Sequence, residues 1–278
     1  WNDIKELGES SRLMFDFVCN HMSAKSEWFN NYLQQLDGYE DFFIAMDPDT
    51  DLSNVTRPRA LPLLTPFTLK DNTVRYLWTT FSDDQIDLNY ANPIVLLAMV
   101  DVLLSYLEQG ADYVRLDAVG FMWKEPGTTC IHLEKTHQLI KLFRAIADCA
   151  APGTAIITET NVPHKDNVSY YGNGHDEAHM VYQFSLPPLV LFRVKGPVNL
   201  VRLSQLIDLV DDPKLLFPAW RPTWPRQLEQ GRSIMAQMRQ RDVLIHQPFE
   251  SFDGVLALLR EAIERLQLSA RACHRILR

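Results

Sequence analysis

Between residues 13 and 191, short apolar runs alternate with longer stretches whose apolar residues recur at helical spacing. Val114-Arg115-Leu116-Asp117 and Ala155-Ile156-Ile157-Thr158 read as buried strands, and the amphipathic stretch from about 130 to 150 between them reads as a helix. Leu13 to His21 reads as another apolar strand with a polar tip, and Met180 to Phe184 as one more. The helix from Pro93 is marked at both ends. Asn92 is suited to cap it, Pro93 fits its first position, Ile94, Leu97, Ala98 and Val102 fall near helical spacing, and Gly110 is placed to end it. This alternation predicts an α/β fold, a parallel sheet with crossover helices.

Two segments break the pattern. From His21 to about Trp78 the chain is irregular, with Pro48, Pro58, Pro62 and Pro66, and so long an excursion after a strand end is expected to be functional rather than a plain connector. Residues 22–78 are therefore read as an inserted loop domain. Beyond about 192 the strand pattern stops. Leu200, Leu203, Leu206, Ile207 and Val210 form one helical stripe, 213–225 is a Pro- and Trp-rich connector, and Val255, Leu258, Leu259, Ala262 and Leu266 form a second stripe after Ser251 or Asp253 as cap. The expected organisation is an α/β unit over 1–191 and a mainly helical segment over 192–278.

Composition narrows the function classes. The chain has 278 residues, 46% hydrophobic and 22% charged, which is ordinary for a globular protein with a sizeable core. A net charge of -8 argues against nucleic acid or an anionic membrane as a general partner. No apolar run approaches the ~18 residues of a membrane span. Cys19, Cys130, Cys149 and Cys273 form no metal-ligand spacing, so no metal site is expected, and reduced thiols in a cytoplasmic protein are. The chain opens without an initiator Met and almost directly on a strand, as a fragment would.

Two carboxylates stand out. Asp117 and Glu159 each end a predicted strand, where parallel α/β folds place their chemistry. A pair facing one cavity suits glycosyl transfer, because one can attack an anomeric carbon while the other protonates the departing oxygen. Arg115 lies two residues before Asp117, on the same strand face, and is placed to hold it ionised. Glu159 has no cationic neighbour within three residues, which suits a carboxyl kept protonated as general acid. Asn20 and His21 would then offer hydrogen bonds to sugar hydroxyls. The spacing equally allows a plain salt bridge for Arg115 and Asp117 and a solvated or capping role for Glu159.

The motifs favour chemistry. Asp16-Phe17-Val18-Cys19-Asn20-His21, Arg115-Leu116-Asp117-Ala118-Val119 and Thr158-Glu159 resemble, in order, conserved regions of the α-amylase superfamily (glycoside hydrolase family 13) at its third, fourth and fifth barrel strands. Three further stretches, Trp78 to Tyr90, Glu159 to His164 and Glu177 to Pro188, are most similar to its sucrose phosphorylase branch. The resemblance covers about 1–191. It implies a TIM (α/β)8 barrel, of which this chain would hold about strands 3 to 6, with Asp117 as nucleophile, Glu159 as acid/base, and Asp16, His21 and Arg115 holding the sugar. It further implies transfer of glucose from a small α-glucoside such as sucrose or glucosylglycerate to inorganic phosphate, without a cofactor. Hydrolysis of the α-glucoside and an inactive chimeric fragment are the alternatives, with a polyphosphate-binding fragment as a lesser one.

The family's third carboxylate follows a His in a pair after the seventh strand. His175-Asp176 has those letters but follows Glu159 by only 16 residues, so a polar loop contact is the expected role. The tail resembles another family. Phe192 to Leu203 and Arg241 to Asp253 look like polyphosphate kinase, without that family's phosphorylated His, so no kinase activity is implied and His246 reads as structural. The last nine residues, 270–278, match neither family.

Overall fold

A computed structural model describes residues 1–184. The chain starts with helix α1 (Asn2–Ser10), then strand β1 (Met14–Val18), β2 (His21–Ser23), α2 (Glu27–Leu33), β3 (Ala45–Met46), β4 (Leu64–Thr68), β5 (Val74–Trp78) and β6 (Gln85–Asp87). It continues with α3 (Pro93–Glu108), β7 (Tyr113–Asp117), a short 3-10 turn (Val119–Phe121), α4 (Glu134–Ala150), β8 (Ala155–Thr158), α5 (His164–Ser169) and β9 (Met180–Val181).

The α/β expectation holds in the main sheet, where four parallel strands run in the order β1-β7-β8-β9. Helices α3 and α4 cover one face. Leu96, Met99, Val100, Leu103 and Leu107 of α3 and Leu139, Ile140, Phe143 and Ala147 of α4 are buried together with Phe17, Val114, Leu116 and Ile156. Burying each large side chain contributes roughly 1.5–3 kcal/mol, so this layer is the main source of cohesion. Strand alternation sends Met14, Asp16 and Val18, then Tyr113, Arg115 and Asp117, to the opposite face. That face is the less buried one, with Met14 53% and Val18 39% exposed.

The predicted helix start at Pro93 is borne out. The Asn92 side chain accepts the Ile94 N–H at 3.0 Å, and Gly110, at φ 89°, lies just past the last turn. Three expectations need correction. The chain begins with a helix rather than a strand; α1 has no buried residue, which leaves its apolar spacing weak as a signal. The strand expected over 13–21 stops at Val18, because Asn20 turns inward to the buried Asp87 and His21 opens β2, antiparallel to β6. The strand expected over 180–184 is only Met180–Val181.

The irregular excursion is itself folded. Strands β3, β5 and β4 form an antiparallel sheet in the order β3-β5-β4, and β2 pairs with β6. Pro66 lies in β4, an edge strand of that sheet, where the missing N–H does no harm, so an irregular, proline-bearing pattern still folds as a strand there. Ile44, Val55, Leu63 and Trp78 pack with Cys130 in a small cluster, while Phe29, Tyr32, Phe42, Phe43, Leu69 and Leu77 join the main core. The helical stripes and polyphosphate kinase-like stretches expected over 192–278 lie outside the described residues.

Candidate active site

The register of the parallel sheet gathers the predicted residues. Asp16 of β1 is aligned directly with Arg115 of β7, and Val18 with Asp117. Leu116 is aligned with Thr158, and the Glu159 N–H donates to the Leu116 carbonyl at 3.0 Å, so Glu159 stands one residue beyond β8 on the face that carries Asp117. Four of the five predicted side chains thus share one end of one sheet face.

Arg115 ties three of them together. Its Nη1 donates to Asp16 Oδ1 at 2.5 Å and to Asp117 Oδ1 at 2.8 Å. Its guanidinium lies 5.4 Å from the centre of the Tyr182 ring, within cation–π range. Burial alone would lower the Arg115 pKa, but the hydrogen bond to Asp16 and the Asp117 charge more than offset it, and the group is held firmly cationic. The guanidinium therefore sits among Asp16, Asp117 and the Tyr182 ring, and through it the Asp117 carboxylate is tied to Asp16.

Glu159 has the opposite environment. Half-buried, it is pushed above the ordinary carboxyl range, chiefly by desolvation; the Ala118 N–H pulls it down, and the charge of Asp117 pushes it up again. The Ala118 N–H reaches Glu159 Oε2 at 3.1 Å. One carboxylate bonded to an arginine beside a second whose pKa is raised by desolvation is the kind of division of labour that glycosyl transfer uses.

Asn20 differs from expectation in how it is used. Asn20 is 1% exposed, and its amide is occupied: Nδ2 donates to Asp87 Oδ2 at 3.1 Å while Oδ1 accepts from Lys124 Nζ at 3.1 Å. Asn20 supports the site from beneath rather than facing a sugar. His21 is also mostly buried, with Nε2 2.8 Å from Gln85 Nε2 and its ring 5.4 Å from that of Phe81. Burial lowers its pKa, with Asp87 and Asp117 opposing, so the imidazole is biased to the neutral form. Asp176 makes loop contacts, accepting the Asn173 N–H at 2.8 Å and lying 3.3 Å from Lys141.

Four contributors were not foreseen. Lys124 and Asp87 form a buried ion pair that Asn20 bridges. The Tyr182 ring faces Arg115, and its backbone is held by Asn167, which donates Nδ2 to the Tyr182 carbonyl at 2.8 Å and accepts the Thr160 hydroxyl at 2.6 Å. The fourth is the Ala118 amide. Asp87 lies inside the family-like stretch from Trp78 to Tyr90, which was a usable signal; nothing local marks Lys124 or a backbone N–H. Among the described residues no group of three or more His, Cys, Asp and Glu side chains is arranged to hold a metal ion, and no helix is long and apolar enough to cross a membrane.

Comparison with known proteins agrees with this geometry. Residues 3–213 match the family described as "Alpha amylase, catalytic domain", a match that runs past 191 into the segment expected to be a separate tail. The glucosylglycerate phosphorylase of Escherichia coli (strain K12) is 78% identical over 195 residues, covering 70% of this chain and 35% of that protein. The glucosylglycerate phosphorylase of Allomeiothermus silvanus is 57% identical over 191 residues, covering 69% of this chain and 34% of the relative. The crystal structure of sucrose 6F-phosphate phosphorylase from Thermoanaerobacter thermosaccharolyticum superposes with a TM-score of 0.60 at 27% identity, over 69% of this chain and 41% of that one. The chain spans about 35% of the length of the curated relatives it matches. With a family match over most of the chain and the carboxylates at the ends of parallel strands, this chain belongs to the α-amylase catalytic-domain family.

Proposed function

We propose that the chain carries the nucleophile and acid/base portion of a retaining α-glucosyl phosphorylase, acting on a small α-glucoside of the glucosylglycerate or sucrose type. In this reading the Asp117 carboxylate attacks the anomeric carbon while Glu159 protonates the departing oxygen, leaving a glucosyl ester on Asp117. Inorganic phosphate then attacks the ester, Glu159 takes up a proton, and an α-glucose 1-phosphate leaves. Asp16, His21 and Arg115 hold the glucose, and neither metal nor organic cofactor takes part. Nucleic acid and membrane are not partners, and a cytoplasmic location suits a reaction that consumes phosphate and returns a sugar phosphate.

The observation that carries this reading is the unequal pair: Asp117 bonded to Arg115 at 2.8 Å, and Glu159, on the same face, raised by desolvation. The identity to the glucosylglycerate phosphorylases supports phosphate rather than water as acceptor. The test is release of glucose 1-phosphate from glucosylglycerate and from sucrose in phosphate buffer, with Asp117→Asn as control. Turnover that persists in the control, or its absence from the parent chain, removes the catalytic reading and leaves sugar binding alone. Free glucose formed equally with and without phosphate would make the reaction hydrolysis.

The barrel is read as holding its third to sixth strands in β1, β7, β8 and β9. The segment from about 192 is read as polyphosphate kinase-like, on the resemblance of 192–203 and 241–253. Polyphosphate retention lost on deleting 193–278 is the outcome that reading requires.

A further inference from the structure

The turn after β7 holds a residue in an unusual conformation. Ala118 has φ 50° and ψ 30°, in the left-handed region that an alanine adopts only at an energetic cost, and it is 8% exposed. The surroundings leave it little choice. The Ala118 carbonyl accepts the Phe121 N–H at 3.1 Å, and the Gly120 carbonyl accepts the His132 N–H at 3.0 Å. A Cβ on Gly120 would stand 3.1 Å from the Tyr170 hydroxyl and 3.2 Å from His132 Cε1, so the turn is packed closely from outside. The left-handed turn takes the Ala118 N–H out of the strand ladder and aims it at Glu159 Oε2, 3.1 Å away.

We propose that Ala118 is a positioning residue whose backbone amide fixes which oxygen of Glu159 carries the transferable proton. An N–H donor requires a lone pair, and in a protonated carboxyl the carbonyl oxygen offers the better one. With Oε2 engaged by the amide, the proton resides on Oε1. In the first half-reaction it moves from Oε1 to the departing glycosidic oxygen as the anomeric carbon–oxygen bond breaks and the bond to Asp117 forms. The carboxylate left behind keeps the amide on Oε2, which stabilises the new negative charge. The proton transfer rests on the acid/base role proposed for Glu159, whereas the hydrogen bond does not.

The experiment separates the two. In the full chain carrying 15N-alanine, the Ala118 amide resonance is followed against pH, with Glu159→Gln as reference. The expected result is a titration step in the Ala118 resonance at the Glu159 midpoint, absent from Glu159→Gln. Ala118→Gly, which tolerates the left-handed turn, keeps the Glu159 carboxyl midpoint read by 13C. Ala118→Val, whose branched side chain disfavours that turn, raises it by about one pH unit. An Ala118 resonance blind to Glu159 overturns the proposal even if turnover is seen, and so does an unchanged midpoint in folded Ala118→Val. Where Ala118→Val does not fold, the titration of the parent chain decides. Failure to release glucose 1-phosphate would count against the acid/base assignment and leave the amide contact standing.

Discussion

Lys124 Nζ lies 2.6 Å from Asp87 Oδ2 with both side chains sealed from solvent, 2% and 0% exposed. The Asp87 carboxylate also accepts the Thr80 N–H at 2.9 Å, the Thr80 hydroxyl at 2.6 Å and Asn20 Nδ2 at 3.1 Å. Lys124 donates in turn to Asn20 Oδ1 and to the Phe121 carbonyl. The pair therefore joins the end of β6, the turn after β1 and the turn after β7, three segments that must meet for the site to exist. A buried pair of this kind adds little against an apolar substitute, yet loss of one partner strands the other charge. Lys124→Met is expected to destabilise the chain by about 3–5 kcal/mol, and adding Asp87→Asn to recover much of that loss. Denaturant unfolding of the single and double variants measures the coupling; simple additivity would show that the pair acts as two independent groups.

The parallel sheet and the carboxylate pair were legible because both depend on local pattern. Apolar runs ending in Asp117 and Glu159 declare strand, face and end without any tertiary information. What the sequence obscured depends on distant partners. Asn20 looks like a sugar ligand until the buried Asp87, 67 residues on, claims its amide. Pro66 looks like a breaker until β4 proves to be an edge strand. Helix α1 escaped notice because it buries nothing, and periodicity reports only on a face that is buried.

Glu159 gives a pH signature that does not depend on turnover. Its folded pKa is raised, first by desolvation, so the folded state binds the proton more tightly than the unfolded chain does. The stability it allows is therefore fully present below the ordinary Glu pKa of ~4.3 and is lost as pH rises through the higher folded value. Glu159→Gln keeps a side-chain acceptor for the Ala118 N–H but never ionises. Its melting temperature is expected to exceed that of the parent at pH 7, with the difference vanishing near pH 4. A difference that instead grew toward acid would mean that the folded state favours the carboxylate.

Arg115 acts through geometry as much as charge. Its guanidinium lies over the Tyr182 ring while one nitrogen bridges Asp16 and Asp117. Arg115→Lys retains the charge but loses the planar group that both contacts use. Glucose 1-phosphate release by an active chain is expected to fall about 100-fold, the scale of a small misplacement of a reacting group. Asn167→Ala, which frees the Tyr182 carbonyl, should lower it in the same direction by less. Rates unchanged in Arg115→Lys would show that charge alone suffices.

The side of β1 away from β7 bears on association in solution. Among the described residues β1 pairs only with β7 and has no strand partner on its other edge, and nearby Met14 and Trp1 are 53% and 59% exposed. An open parallel edge beside apolar side chains invites pairing with a second chain. Self-association that rises with concentration is therefore expected in sedimentation. Met14→Lys places a charge on that exposed strand and should suppress association while changing stability by no more than about 0.5 kcal/mol, because the side chain it replaces is already half in water. Suppression at unchanged stability would locate the contact at β1. A monomeric parent with one cooperative melting transition at every concentration would mean that this edge is covered in the folded chain.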